Sequence, residues 1–357
     1  MLTELQIFAK RLKQARIQKK LSMEQLANLM DGIVSKQAIS KYESAKMMPN
    51  MTVLVSIAEV LNVELDDLFR PFNFEVENLQ VSFRKKSDAG AKEINSLKIK
   101  IQDDIEKYLE IENILEKQTP EFAQVNSEIL SSPQQMWKCA REIREQWKLG
   151  NDAIANVQDM LEEHGIKVIL TEASPNFDGV SGVVNNKYYF VVLNREQKHI
   201  ERRRFTTLHE LGHLLFNDRF DSRLTQHEKE SLCDNFANEM LIPTSAIESA
   251  FKPGDQITTS ELKELQYKYG VSINAIMVKI HQLEIMNDNR YKSYCIRKRN
   301  DERLRNFIEK TRYKENLTNR FETMVYSAAA KELISTSKAA SLLKCSVSNV
   351  RKNLNTL

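Results

Sequence analysis

Residues 205–216, FTTLHELGHLLF, decide how this chain is read. Phe205, Leu208, Leu214 and Leu215 give the stretch an apolar side, and His209, Glu210 and His213 interrupt it. On an α-helix, positions i and i+4 stand one above the other on the same face. His209 and His213 can therefore direct a ring nitrogen each at a single ion, one turn apart. Glu210 is rotated by one residue, so it stands beside that ion without having to bind it. From there it can take a proton from water. A glycine inside a helix costs about 1 kcal/mol, so Gly212 marks a place where another element approaches the backbone closely.

Two imidazoles leave zinc under-coordinated, because catalytic sites usually supply three protein ligands and keep one position for water. The next helix offers His227, Glu228 and Glu230. Its inward stripe is Cys233, Phe236, Ala237, Met240 and Leu241, and Glu230 extends that stripe by one turn. Glu228 projects with Ser231 and Asn235 on the polar side. His227, near the helix start, is the rival ligand, and Glu230 is the expected one. Asp234 follows one turn later on nearly the same face. It is placed to accept the second N–H of His209 or His213 and fix that ring's tautomer.

Working outward, helices are expected at 134–147, 152–163, 200–217 and 227–242, the last ended by Pro243. Between them IKVIL, SGVV and KYYFVVLN cluster β-branched and aromatic residues between turn signals, including the pair Asn185-Asn186, as strands do. The expected fold is mostly α, with an α+β unit at residues 133–289. By analogy with other zinc peptidases, KYYFVVLN is the strand expected to hold an extended substrate by strand addition.

HELGH at 209–213, Glu230-Ser-Leu-Cys-Asp234-Asn-Phe236-Ala237, Met240-Leu-Ile-Pro243 and the preceding Arg204-Phe205-Thr206 resemble the ImmA/IrrE family of regulatory metallopeptidases. The resemblance spans about residues 133–285. It implies a zincin-like domain of the gluzincin type, with Zn2+ held by His209, His213 and Glu230. It also implies peptide hydrolysis by zinc-activated water, with Glu210 as general base. Cys233 stands where the family usually has alanine.

Residues 4–69 read as five short helices. Ser22 with Gln25 forms a capping box ahead of MEQLANLM, and Ser35 caps KQAISKYE. The two helices fit a helix-turn-helix, whose second helix reads the major groove. Lys36, Gln37, Ser40 and Lys41 lie on its outer side; glutamine pairs bidentately with adenine, and lysines reach phosphates or guanine. The run LAxxM…SKQAISKYE…P resembles the phage-repressor-like XRE family, which implies double-stranded DNA as a partner. The turn is about two residues longer than usual, and Ala45 occupies a position where glycine is common.

The 357 residues are 41% apolar and 28% charged, with only 9 Gly and 7 Pro, a composition that permits long helices. Four scattered cysteines without a CxxC pair argue against a disulfide framework or a four-thiolate zinc site and fit a reducing cytoplasm. No run of about 18 apolar residues exists, so no membrane partner is expected. The net charge of +3 is too weak to argue for nucleic acid by itself.

The expected domains are 1–70, a DNA-binding helix-turn-helix; 71–132, a connector with Arg84-Lys85-Lys86 and an amphipathic helix; 133–289, the metallopeptidase; and 290–357, a basic helical region. The amphipathic helix at 93–117 reads first as packing on its own domain and second as a homodimer helix. Ser337–Arg351 repeats a helix, turn, helix pattern, a candidate second nucleic-acid contact. Together these imply a DNA-binding zinc metalloendopeptidase that regulates transcription by cleaving a repressor or antitoxin-like protein. The alternative is a non-proteolytic XRE-type regulator whose zinc fold senses or binds a partner.

Overall fold

The computed structural model describes residues 2–72, 91–117, 120, 128–185, 187–315 and 319–354. Arg84-Lys85-Lys86 of the connector and Asn186 of the expected turn lie outside the described residues. The chain divides into two compact units, residues 1–119 with 319–357, and residues 120–318.

Side-chain caps start the helices of the first unit. Thr3, Ser22, Ser35 and Asn50 accept hydrogen bonds from the backbone N–H groups of Gln6, Gln25, Ala38 and Val53. Such a cap contributes about 0.5–2 kcal/mol. These caps open α1 (Glu4–Gln18), α2 (Met23–Leu29), α3 (Lys36–Glu43) and α4 (Met51–Leu61), and a 3-10 turn at Leu65–Phe69 completes the expected five. Phe8, Leu12, Leu26, Ile39, Ile57 and Leu61 are fully buried between them. Each such side chain stabilises by about 1.5–3 kcal/mol. Helix α5 (Ala91–Ile114) buries Ile101, Ile105, Tyr108 and Leu109, and Ser96 Oγ donates to the Gln18 carbonyl of α1 at 2.8 Å. Buried charges fix the same helix: Arg11 reaches Glu106 at 2.9 Å, and Arg70 pairs with Asp103, which Lys107 of α5 itself also reaches at 3.1 Å. The apolar face of the amphipathic segment is thus covered within its own unit.

The second unit begins with α6 (Pro133–Gln146), where Ser132 caps and Pro133 fills the first helical position. Helix α7 (Val157–Glu163) starts later than the apolar spacing suggested, because Asn156 turns inward as N-cap and accepts from Gln158 and Asp159. Strands β1 (Ile166–Thr171), β2 (Gly179–Val184) and β3 (Tyr188–Asn194) form a sheet of order β1-β3-β2. β1 runs parallel to β3 with Val168 opposite Val191; β2 runs antiparallel with Ser181 opposite the same Val191. Helix α8 (Ile200–Phe216) packs on β2 and β3, and α9 (Gln226–Leu241) packs between α8 and α6. Around them lie α10 (Thr244–Ala250), α11 (Thr259–Tyr269), α12 (Ile273–Gln282), α13 (Asp288–Asn300) and α14 (Glu302–Glu309).

Arg204 staples this unit from inside. Its buried guanidinium donates to the carbonyls of Ile154 at 2.7 Å and Gly270 at 3.2 Å, pairs with Glu315, and lies over the Tyr313 ring. That staple keeps residues 313–315 in the second unit. The chain then returns to the first unit as α15 (Arg320–Ala330), α16 (Thr336–Leu343) and α17 (Val347–Leu354). Residues 290–357 are therefore not one region, and the amphipathic helix groups with the helix-turn-helix rather than with a separate connector. The sequence pattern missed this because the pairing is long-range: Phe321 of α15 stacks on Tyr108 of α5 at 6.0 Å. Among the described residues no helix is long and apolar enough to cross a membrane.

Candidate metal centre and nucleic-acid interface

Glycines let the elements of the centre approach one another. A Cβ at Gly212 would stand 3.2 Å from Phe236 Cδ1 and 3.4 Å from Cys233 Cβ and Sγ, so α9 lies directly against α8 there. A Cβ at Gly179 would come within 2.8 Å of Thr206 Cγ2, so β2 is drawn equally close on the other side. The expected close approach at Gly212 is present. The one at Gly179 carried no sequence signal.

These approaches bring the expected side chains together. His209 Nε2 lies 3.0 Å from His213 Nε2, 3.2 Å from Glu230 Oε2, and His213 Nε2 lies 3.4 Å from Glu230 Oε1. Ligand atoms at zinc bond lengths of about 2.0–2.2 Å in a tetrahedron stand about 3.3–3.6 Å apart. The observed edges are close to that. Asp234 Oδ1 accepts from His209 Nδ1 at 2.6 Å, which commits the ring's proton to that side. The Nε2 lone pair then faces the second imidazole and the Glu230 carboxylate. Such a gathering of lone pairs is unfavourable unless a cation or a proton sits among them, so the donor set fits a metal ion.

A second donor set shares both histidines: ligand atoms of His209, His213 and Cys233 lie within 4.8 Å of one another. The buried Cys233 Sγ sits against His213 Nδ1 at 3.6 Å, on the opposite edge of the ring from the Nε2 cluster. The Glu230 carboxylate, rather than that sulfur, lies beside both Nε2 atoms. His227 is exposed at the start of α9, and Glu228 caps that helix through Thr225, with Oε2 accepting from Thr225 N at 2.7 Å.

Glu210 is buried, and Ser181 Oγ donates to its Oε2 at 2.9 Å. Ser181 and Gln226, which donates to Glu230 Oε1 at 3.0 Å, are two contacts that sequence reasoning missed. Ser181 lies on an edge strand, and this corrects the expected strand addition at KYYFVVLN. β3 is flanked on both sides, so its backbone groups are already used. Among the described residues the free edge beside Glu210 belongs to β2.

In the first unit Lys36, Gln37, Ser40 and Lys41 are exposed along α3, while Ile39 and Tyr42 turn inward. Arg16 of α1 holds Glu43 through Nη2 at 2.8 Å and the Leu21 carbonyl at 2.7 Å, which fixes α3 on the core. Lys36 stands 3.6 Å from the exposed Glu24. Ala45 adopts φ of +53°, the left-handed conformation that explains why glycine is common at this position.

Among curated proteins none matches the chain. Residues 12–68 match a family described as helix-turn-helix, and residues 161–281 match one described as the IrrE N-terminal-like domain. The protein combines an XRE-type helix-turn-helix with an ImmA/IrrE-like peptidase domain.

Proposed function

We propose that the protein is a DNA-binding zinc metalloendopeptidase that controls transcription by cleaving a repressor or antitoxin-like protein in the cytoplasm. The observation that carries this reading is the convergence of His209 Nε2, His213 Nε2 and the Glu230 carboxylate, 3.0–3.4 Å apart, beside the buried Glu210. Zinc, when bound by these three, polarises a peptide carbonyl and lowers the pKa of water to about 7. Glu210 takes the proton of the attacking water and passes it to the leaving amine nitrogen. Ser181 orients Glu210 through its hydrogen bond to Oε2. Asp234 keeps the His209 proton on Nδ1. The free edge of β2 pairs with an extended segment of the substrate, placing its scissile bond over Glu210. Helix α3, through Lys36, Gln37, Ser40 and Lys41, keeps the enzyme at its operator.

The Cys233 contact favours a second reading, a zinc-bearing regulator that does not cut, because thiolate ligands are typical of structural zinc. The test is Glu210→Gln, which keeps size and hydrogen-bonding shape but cannot accept a proton. The variant should retain zinc and operator binding, leave the regulated repressor full length on an immunoblot, and fail to induce a reporter of the same promoter. Induction equal to wild type would establish the non-proteolytic reading.

A further inference from the structure

The C-terminal helices of the first unit are built like a second DNA-reading element. Helix α16 (Thr336–Leu343) starts at the cap Ser335, whose side chain accepts from Lys338 N, and buries Ala339, Ala340 and Leu342. Three residues, Lys344, Cys345 and Ser346, connect it to α17 (Val347–Leu354). Lys344 adopts φ of +54°, the left-handed conformation that breaks one helix and redirects the next. A turn of three to four residues is the usual helix-turn-helix connection. The N-terminal pair α2–α3 uses the longer Met30–Ser35. The C-terminal pair therefore has the more regular turn of the two, and α17 matches α3 in length at 8 residues.

Charge distinguishes the anchoring face of this element from its exposed face. Residues 335–354 contain Lys338, Lys344, Arg351 and Lys352, and no Asp or Glu. The first two pair with acids of α5: Lys338 reaches Glu110 at 2.8 Å, and Lys344 reaches Asp104 at 3.2 Å. Ser341 Oγ adds a 2.6 Å hydrogen bond to Asp67. Along α17, Val350 is buried and Val347 and Leu354 are half-buried, so one face packs down. Ser348, Asn349 and Lys352 are exposed on the opposite face, and Arg351 is exposed at its flank. No large apolar side chain is exposed on α17, so the face offers no apolar anchor to a protein partner. An acid-free face of small hydrogen-bonding residues followed by two cations has the chemistry of a groove-reading helix.

We propose that α16 and α17 form a second helix-turn-helix, and that α17 contacts duplex DNA, with Ser348 and Asn349 at base edges and Arg351 and Lys352 at phosphates or guanine. The element lies in the same compact unit as α3, so one chain carries two DNA contacts. This inference does not depend on the peptidase reading, and its arms separate it from the reading of α3.

The experiment uses the full-length chain and a duplex selected by it from a random pool. Each lost phosphate contact lowers the slope of log K against log salt by about 0.9. Arg351→Ala/Lys352→Ala should therefore reduce that slope by about 1.8 and shorten the nuclease footprint at one end. Ser348→Ala/Asn349→Ala should relax base preference within that end while leaving the slope unchanged. Lys36→Ala/Lys41→Ala should shorten the footprint at the other end. All substituted positions are exposed, and equal thermal midpoints verify that each variant folds. If Arg351→Ala/Lys352→Ala leaves both slope and footprint at wild-type values, the proposal is overturned, and α16–α17 serve only to pack on α5. If only Lys36→Ala/Lys41→Ala is silent, the α3 reading falls and α17 stands.

Discussion

Replacing Asp234 by alanine removes the carboxylate that accepts from His209 Nδ1 at 2.6 Å. The imidazole itself stays buried, with its side chain 2% exposed, whereas the Asp234 side chain is 55% exposed. The two exposures separate function from folding: the substitution opens no cavity, yet it frees His209 to carry its proton on either nitrogen. A proton on Nε2 faces the point where His213 and Glu230 converge and competes directly with zinc. Partners that orient a ligating histidine are worth about 10–100-fold in metal affinity, or about 1.4–2.7 kcal/mol. The assay is competition for zinc against a chromophoric chelator at neutral pH, with the thermal midpoint of the zinc-free protein as control. Affinity within twofold of wild type, at an unchanged midpoint, would refute the assigned tautomer and with it the Nε2-centred site.

Three further outcomes follow from the same geometry. Purified protein should bind about one zinc per chain; Glu230→Ala should lose most of it, whereas Cys233→Ala and His227→Ala should keep it, and loss in Cys233→Ala alone would move the ion to the thiol side. Wild-type DNA affinity should fall steeply with rising salt, and Gln37→Ala should blunt sequence preference more than non-specific binding, both read by anisotropy on specific and scrambled duplexes. Burial opposes ionisation of Asp103, but Lys107, Arg70 and Lys344 outweigh it and hold the carboxyl below its ordinary value. The stabilisation from a depressed carboxyl is present above its unfolded pKa of about 4 and is lost as pH falls further. Asp103→Asn should therefore flatten the acid limb of the stability–pH curve; an unchanged limb excludes this network as its cause.

The centre was legible because its information is local. HELGH fixes two nitrogens on one helix face by spacing alone, and the apolar stripe of α9 points Glu230 and Asp234 at them. The same holds for caps such as Ser22 with Gln25, each contained in four residues. What spacing did not reveal depends on distant pairing. Ser181 reaches Glu210 only because Gly179 lets β2 approach α8, and a serine in a strand announces nothing of that. Sheet order was equally hidden. The residues of β3 read as a good strand, yet hydrogen bonding on both sides makes it the central strand and leaves β2 as an edge. The return of α15–α17 to α5 rests on Phe321 with Tyr108 and on Lys338 with Glu110, pairs more than two hundred residues apart.

The most direct test of the central claim is cleavage itself, measured with a peptide library made from a host-cell extract. Zinc-loaded wild type and zinc-loaded Glu210→Gln are incubated with it at equal metal content, and new N-termini are identified by mass spectrometry. The account predicts a defined set of new termini with wild type and a loss of orders of magnitude with Glu210→Gln. Equal cleavage by the two proteins, or none by wild type on the library and on the regulated repressor alike, would contradict it.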